Sequence, residues 1–260
     1  MGRIHVFEFE DQKWFPNFLR NYGTDFLQFL SNKVKMYQPV VPIIEKGLRQ
    51  SKTNRIIDLG SGGGGGLLWL NTELKKNSPD LKIVLTDFYP NISAFTYTQK
   101  QADNFLFEEK PVDARNVPVN LKGLRTQFLS FHHFKPKEAK QILQNAIDAA
   151  SGIAIFEAQE RSIPSILAMI FSPLTVLFVT PFIRPFKWGR IIFTYLIPIV
   201  PLFVLWDGVV SSLRTYSIKE MEALVASLKG TETYDWEISK VKSGPGVVLY
   251  LLGTKKEGNS

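Results

Sequence analysis

Two adjacent imidazoles, His132 and His133, lie in the run Ser130-Phe131-His132-His133-Phe134 and account for two of the three histidines in the chain. Imidazole titrates near neutrality, so either could take a proton from a substrate hydroxyl or amine. A pair of structural histidines, one bonded inward and one solvated, is the other reading. Well before them the stretch Arg55 to Leu70 reads R-I-I-D-L-G-S-G-G-G-G-G-L-L-W-L, with five consecutive glycines, Gly62 to Gly66. Glycine permits φ above zero and lets a ligand approach the backbone without a Cβ in the way. A helix opening there would aim free N–H groups at that ligand. Carboxylates punctuate the same region: Asp58 before the glycines, then Asp87, Asp113 and Glu157. A carboxylate can accept both hydrogen bonds of a ribose diol.

These residues need elements to position them. Ile56 and Ile57 reach Asp58, and Leu67 to Leu70 is apolar and helix-compatible, so the glycines join a strand to a helix; a flexible linker does not usually sit between two such runs. Lys82 to Thr86 is a second strand ending at Asp87, 23 residues beyond Gly64. A helix is expected from about Ile92 to Asn104, and a fourth strand over Leu124 to Leu129, running into the histidines. Lys137 to Ala150 places Ala139, Ile142, Leu143, Ala146, Ile147 and Ala150 on one helix face. Ile153 to Phe156 is a fifth strand, which sets Glu157, Gln159 and Glu160 where the carboxyl ends of parallel strands face a crevice. Ser217 and Glu220 form a capping box before a helix to Leu228. Trp236 to Lys242 and Val247 to Thr254 read as strands around an S-G-P-G turn, and Lys255 to Ser260 as a disordered tail.

Two templates fit the glycine loop. The dinucleotide fingerprint G-x-G-x-x-G is satisfied by Gly60, Gly62 and Gly65, which keeps an NAD(P)-dependent oxidoreductase open. The pattern D-x-G-x-G-x-G, carried by Asp58, Gly60, Gly62 and Gly64, resembles the first motif of class I S-adenosyl-L-methionine-dependent methyltransferases. Some fifty residues ahead of the loop favour this second template. The resemblance covers about residues 53 to 160 and 207 to 255. It implies a doubly wound α/β fold, a mostly parallel seven-stranded sheet with an antiparallel last strand. It also implies S-adenosyl-L-methionine (SAM) as cofactor, with Asp58, Gly60, Ser61, Gly62, Gly64, Asp87, Phe88, Asp113 and Ala114 binding it and Asp113, at the end of a short strand, meeting the adenine amino group. His132 or His133 would be the base at the floor of the cleft. A sulfonium is already an activated methyl donor, so no metal is required, and no His/acid cluster in the sequence has ligand spacing. The family's Asn-Pro-Pro-Tyr type motif is absent after the fourth strand, which argues against exocyclic base amines as acceptors. A non-catalytic, membrane-associated SAM-binding protein is a further alternative.

A chain of 260 residues suits one large α/β domain with additions. Residues 1–50 form an aromatic-rich helical cap, its helices broken near Pro16 and Gly23 and clearest from Asp25 to Lys35. Trp14, Arg20, Tyr22 and Tyr37 of this cap, with Glu157, are the candidates to contact substrate. Residues 51–162 and 207–255 form the catalytic domain. Between them, residues 163–206 are an apolar insert: Ile163 to Ile183 and Ile191 to Trp206 carry no charge, separated by R-P-F-K-W-G-R. Prolines interrupt both runs, and a spanning hairpin would put the basic connector on the far side of the membrane from the catalytic domain, against the positive-inside tendency. Helices lying on or in one leaflet, with Arg184, Lys187, Arg190 and Trp188 at the headgroups, are expected instead. A lipophilic small molecule or lipid would then arrive from the bilayer; a buried lid or a homodimer interface is the alternative. The net charge of +7 permits an anionic membrane or nucleic acid, but scattered cations beside an apolar insert do not favour nucleic acid. With no cysteine there is no disulfide, thiolate metal site or thiol nucleophile. The N-terminus holds no apolar run of signal length, so a cytoplasmic enzyme at the inner face of the membrane is expected.

Overall fold

A computed structural model describes residues 2–256. Seven strands form one sheet: β1 (Arg55–Leu59), β2 (Lys82–Thr86), β3 (Phe105–Phe107), β4 (Leu124–Phe128), β5 (Ile153–Glu157), β6 (Tyr234–Ser243) and β7 (Gly246–Lys255), in the order β3-β2-β1-β4-β5-β7-β6. The first five run parallel, and β7 lies antiparallel between β5 and β6. The doubly wound sheet with its antiparallel final strand is the expected architecture. The expectation of disorder over 257–260 lies outside the described residues, and Lys255 belongs to β7.

The central strands read as continuous apolar runs because both faces are covered. Ile56, Ile83, Leu85, Leu124, Phe156 and Leu252 pack with α2 (Val41–Gln50) and α3 (Leu67–Leu74) on one side. Ile57, Val84, Ile153, Ile155 and Leu251 pack with α5 (Pro136–Asp148) and α10 (Ile218–Ala226) on the other. Each such side chain contributes about 1.5–3 kcal/mol when fully buried. Parallel strands end at one edge of the sheet, and that edge carries the glycine loop and the histidines.

Two sequence expectations fail here for local reasons. Helix α4 (Ile92–Gln101) stops before Asn104, and β3 follows at once. Three residues are too few for periodicity to register. Asp113 therefore lies in the loop between β3 and β4, not at a strand end.

The cap and the insert form one unit. Helix α1 (Asn17–Lys33) runs unbroken through Gly23, where a break was expected. A Cβ there would sit 2.7 Å from Phe203 Cζ, so this glycine serves close helix approach rather than a turn. The insert continues as α6 (Ile163–Ile170), α7 (Ser172–Val179), α8 (Trp188–Ile191), a π-helical turn (Ile192–Leu196) and α9 (Ile199–Arg214). Pro164 and Pro173 stand in first helical turns, where their missing N–H costs nothing. Phe15, Leu19, Tyr22 and Phe26 bury against Val176, Ile183, Val200 and Phe203. Because α9 passes straight through residues 206 and 207, the expected insert boundary falls inside a helix. Among the described residues no single helix is long and apolar enough to cross a bilayer; two pairs, bent by 42° and 80°, reach that length only together. The connector also differs from expectation. Lys187 and Arg190 turn inward to Asp25 Oδ2, at 2.9 and 2.5 Å, leaving Arg184 and Trp188 exposed.

Candidate active site

The loop after β1 is braced from behind and open in front. Asp58, 2 % exposed, accepts from Ser61 Oγ and Thr126 Oγ1, each at 2.7 Å. Burial pushes its pKa up to about 7, against the pull of those two hydroxyls. Its carboxyl thus holds the loop to the sheet and does not line the cleft, contrary to the cofactor contact expected of it. Gly64, likewise expected at the cofactor, backs onto Thr98. Gly62 has φ +55° and donates its N–H to Asp87 Oδ2 at 2.7 Å, while Tyr89 N–H donates to Oδ1 at 2.7 Å. Burial raises the Asp87 pKa, and these two donors oppose the rise. One lone pair on each Asp87 oxygen stays open, as a diol requires.

Gly60, Ser61, Gly62, Asp87, Phe88, Asp113 and Ala114 all line a cavity of about 420 Å³ at the carboxyl ends of β1, β2 and β4. The Asp113 carboxylate is gripped by Arg115 at 2.7 to 3.1 Å, which lowers its pKa. The wall also holds polar atoms with nothing to bond. Tyr37 Oη and both amide atoms of Gln127 are buried, unpartnered and part of this lining. Unsatisfied buried polar groups are costly, and a polar ligand is one way to satisfy them. A Cβ built on Gly65 would enter open space at the same wall. These residues fit a ligand that carries both a diol and further hydrogen-bonding groups, as SAM does. Gln127 was missed in the sequence, although an amide inside an otherwise buried strand was a visible signal.

The substrate-contact candidates scatter. Trp14 is 67 % exposed, edge-on to Phe9 and Phe15, and lines neither this cavity nor the apolar one beside it. Tyr22 belongs to the core between cap and insert. Arg20 does reach the 420 Å³ cavity, but its guanidinium is committed to Glu10 O, Gln12 O and Asn17 Oδ1, and it stacks over Tyr89 at 4.4 Å. Tyr37 lines the same 420 Å³ cavity as the glycine loop. Glu157 is fully buried behind the histidines, accepting from the Phe131 and His132 N–H groups and pairing with His132 Nδ1 at 2.7 Å.

A second cavity, about 490 Å³ and largely apolar, lies between α1, α6, α9 and the β6–β7 turn, with Phe26, Leu30, Met169 and Phe203 in its wall. The two cavities share Glu10, Leu27, Leu129 and His133. At this junction His133 Nδ1 meets Asp11 Oδ1 at 2.8 Å and Glu8 Oε2 at 3.0 Å. Burial disfavours its charge, but the two carboxylates outweigh that and raise its pKa well above the usual value. His133 is thus held as imidazolium, without a lone pair to offer, and does not suit the role of base. His132 lines only the apolar cavity, and its unpartnered Nε2 faces Glu8 Oε1 at 3.9 Å. Arg214 closes the network, donating to Glu8 Oε1 at 3.1 Å and Asp11 Oδ2 at 2.6 Å. Glu8, His132 and His133 bring three donor atoms within 4.8 Å of one another, a grouping that sequence spacing concealed. Arg214 and the His133 proton already neutralise Glu8, so the group is an ion-pair network. Asp207 of α9 accepts the N–H groups of Phe9 and Glu10, at 2.8 and 3.1 Å. The N-terminal acids escaped the sequence reading because Phe9–Asp11 is a single 3-10 turn, with no period to betray what it faces.

No protein-family model matches the sequence, and no curated protein matches it. Solved structures do. PigF with SAH superposes with a TM-score of 0.52 at 17 % identity, over 95 % of this chain and 63 % of PigF. Human N-acetylserotonin methyltransferase in complex with SAM gives 0.51 at 16 % identity, over 89 % of this chain and 56 % of that one. This chain thus spans little more than half the length of the human enzyme. A dinucleotide-binding sheet runs 3-2-1-4-5-6, whereas here an antiparallel β7 enters between β5 and β6. In architecture, the chain has the fold of the class I SAM-dependent methyltransferases.

Proposed function

We propose that this chain transfers the methyl group of SAM to an oxygen or nitrogen nucleophile of a lipophilic small molecule or lipid. The observation that carries the reading is the meeting of a polar cavity walled by the glycine loop and Asp87 with an apolar one, at Glu10, Leu27, Leu129 and His133. Asp87, the loop backbone, Tyr37 and Gln127 would hold the cofactor, whose sulfonium supplies an electrophilic methyl. The protein's share is alignment of two reactants and exclusion of water. An NAD(P) role draws no support from the sheet order. The test is calorimetric titration with SAM, S-adenosylhomocysteine (SAH) and NAD(P), followed by labelled-methyl transfer to a total lipid and quinone extract. The expected result is binding of the first two only, with label recovered in an organic-soluble product. Tight SAH binding without transfer to any fraction would make the chain a non-catalytic binder instead.

The proposed place of work is the inner face of a membrane. In support, the insert leaves Leu167, Leu174, Phe178, Trp188, Leu196 and Leu202 exposed, Phe178 and Leu196 by 75 and 77 %. Apolar surface on this scale marks an interaction site. Helices α6 and α9 also wall the apolar cavity, so a substrate dissolved in lipid would have a short way in. The net positive charge favours an anionic leaflet. Flotation with phosphatidylglycerol-containing vesicles should carry the protein upward, and Phe178→Glu with Leu196→Glu should leave it behind. Dimerisation of vesicle-free protein, lost in the same double variant, would show that a second copy covers this face.

A further inference from the structure

Glu10 occupies the junction with no assigned work. Glu10 lines both cavities, yet among the described residues no hydrogen bond or ion pair reaches its carboxyl oxygens. Its backbone, by contrast, is fixed from two sides: the N–H donates to Asp207 Oδ2 at 3.1 Å and the carbonyl accepts from Arg20 Nε at 2.9 Å. Its Oε1 rests so close to α1 that a Cβ at Gly23 would approach it to 2.8 Å. A carboxyl held firmly by its main chain, with its side chain left unpartnered between a cofactor space and an apolar space, is built to meet something that arrives there. Burial and the neighbouring Asp207 push its pKa up to about 8, with Glu8 adding to the rise and His133 and Arg20 opposing it. Even beside the His133 imidazolium, Glu10 holds its proton more tightly than an ordinary carboxyl.

We propose that Glu10 is the catalytic proton acceptor for methyl transfer, its carboxylate facing both the sulfonium and the attacking group; the proposal rests on the SAM reading above. A sulfonium at the junction is a fixed positive charge, and a nearby positive charge favours the ionised carboxyl. Glu10 therefore loses its proton when SAM binds. In the reaction a lone pair of the acceptor O–H or N–H forms the new bond to the methyl carbon. The carbon–sulfur bond breaks, and its electrons stay on sulfur as the neutral thioether of SAH. The acceptor's proton passes to Glu10. Loss of the sulfonium charge at that moment restores the high proton affinity of Glu10, so charge disappears from cofactor and carboxylate together. Asp207, which holds the Phe9 and Glu10 N–H groups, is a positioning residue for this carboxylate.

Calorimetry of SAM and SAH at pH 7 in phosphate and in Tris, buffers of different ionisation enthalpy, reads the proton directly. SAM should release up to about one proton and SAH none. Glu10→Gln should abolish the release while binding SAH as tightly as wild type, which also shows that it is folded. Its labelled-methyl transfer to the lipid and quinone extract should fall about 100-fold or more. Glu10→Asp, which keeps the charge, should retain the proton release. If SAM and SAH both bind wild type without proton release, or if Glu10→Gln releases as wild type does, the assignment is overturned. If neither compound binds wild type, the SAM reading fails and this assignment falls with it.

Discussion

Asp87→Ala is expected to weaken binding of both SAM and SAH by about 100-fold, with little change in the folded content of the sheet. Asp87 does two things at once. Its oxygens take the Gly62 and Tyr89 N–H groups at 2.7 Å each, fixing the glycine loop against the turn after β2, and they keep open lone pairs towards the cavity they line. Hydrogen bonds to a charged partner contribute about 1.5–3 kcal/mol apiece. Losing two bonds to a ligand diol costs about 3 kcal/mol or more, and every 1.4 kcal/mol is about tenfold in affinity. SAM and SAH should suffer alike, because the diol is common to both and the charge is not. Asp87→Asn should fall between, since an amide oxygen accepts but carries no charge. Titration calorimetry of the three proteins decides it; an Asp87→Ala protein that binds both compounds within threefold of wild type would move the cofactor site elsewhere.

Arg214→Met should cost about 3–5 kcal/mol of stability, the usual consequence of removing one member of a buried charge pair. Arg214 is 2 % exposed and reaches Glu8, Asp11 and the Val6 carbonyl, the last at 2.7 Å. Methionine preserves the stem but leaves Glu8 and Asp11 to share the single positive charge of His133. For a chain of this size that corresponds to a fall in melting temperature of roughly 10 °C. The loss should be smaller at acid pH. Opposing the effect of burial, His133 and Arg214 hold the Glu8 and Asp11 carboxyls below their usual range. Stability from such depressed groups is present above their unfolded pKa and disappears as pH falls through the folded one. Urea unfolding at pH 7 and at about pH 2, below the usual carboxylate range, measures the difference. A cost below about 1 kcal/mol at pH 7 would mean that water, not Arg214, neutralises these acids.

How far the sequence went is clearest at individual residues. Ile56-Ile57 and the apolar run ending at Thr86 announced β1 and β2, because strands covered on both faces are apolar throughout. The glycines were legible since few other residues tolerate positive φ at successive positions. The capping box of Ser217 and Glu220 forms as written. What a sequence carries poorly is direction across the chain. Asp58 and Glu157 both lie near strand ends at the correct edge, yet one turns back onto Ser61 and Thr126 and the other beneath His132. Lys187 and Arg190 read as headgroup cations until Asp25, 162 and 165 residues away, supplies their partner. Gly23 looked like a helix breaker because nothing local reveals that Phe203 must lie against it.

The bond between Asp207 and the backbone of Phe9 and Glu10 joins positions 198 and 197 residues apart. During synthesis the N-terminal segment emerges first and finds no seat until α9 has been made. Contacts so distant in sequence close late, because the loop entropy must be met before they repay it. The turn that carries Glu10 is therefore seated by α9 rather than by its own neighbours, and any change that loosens α9 also frees that turn.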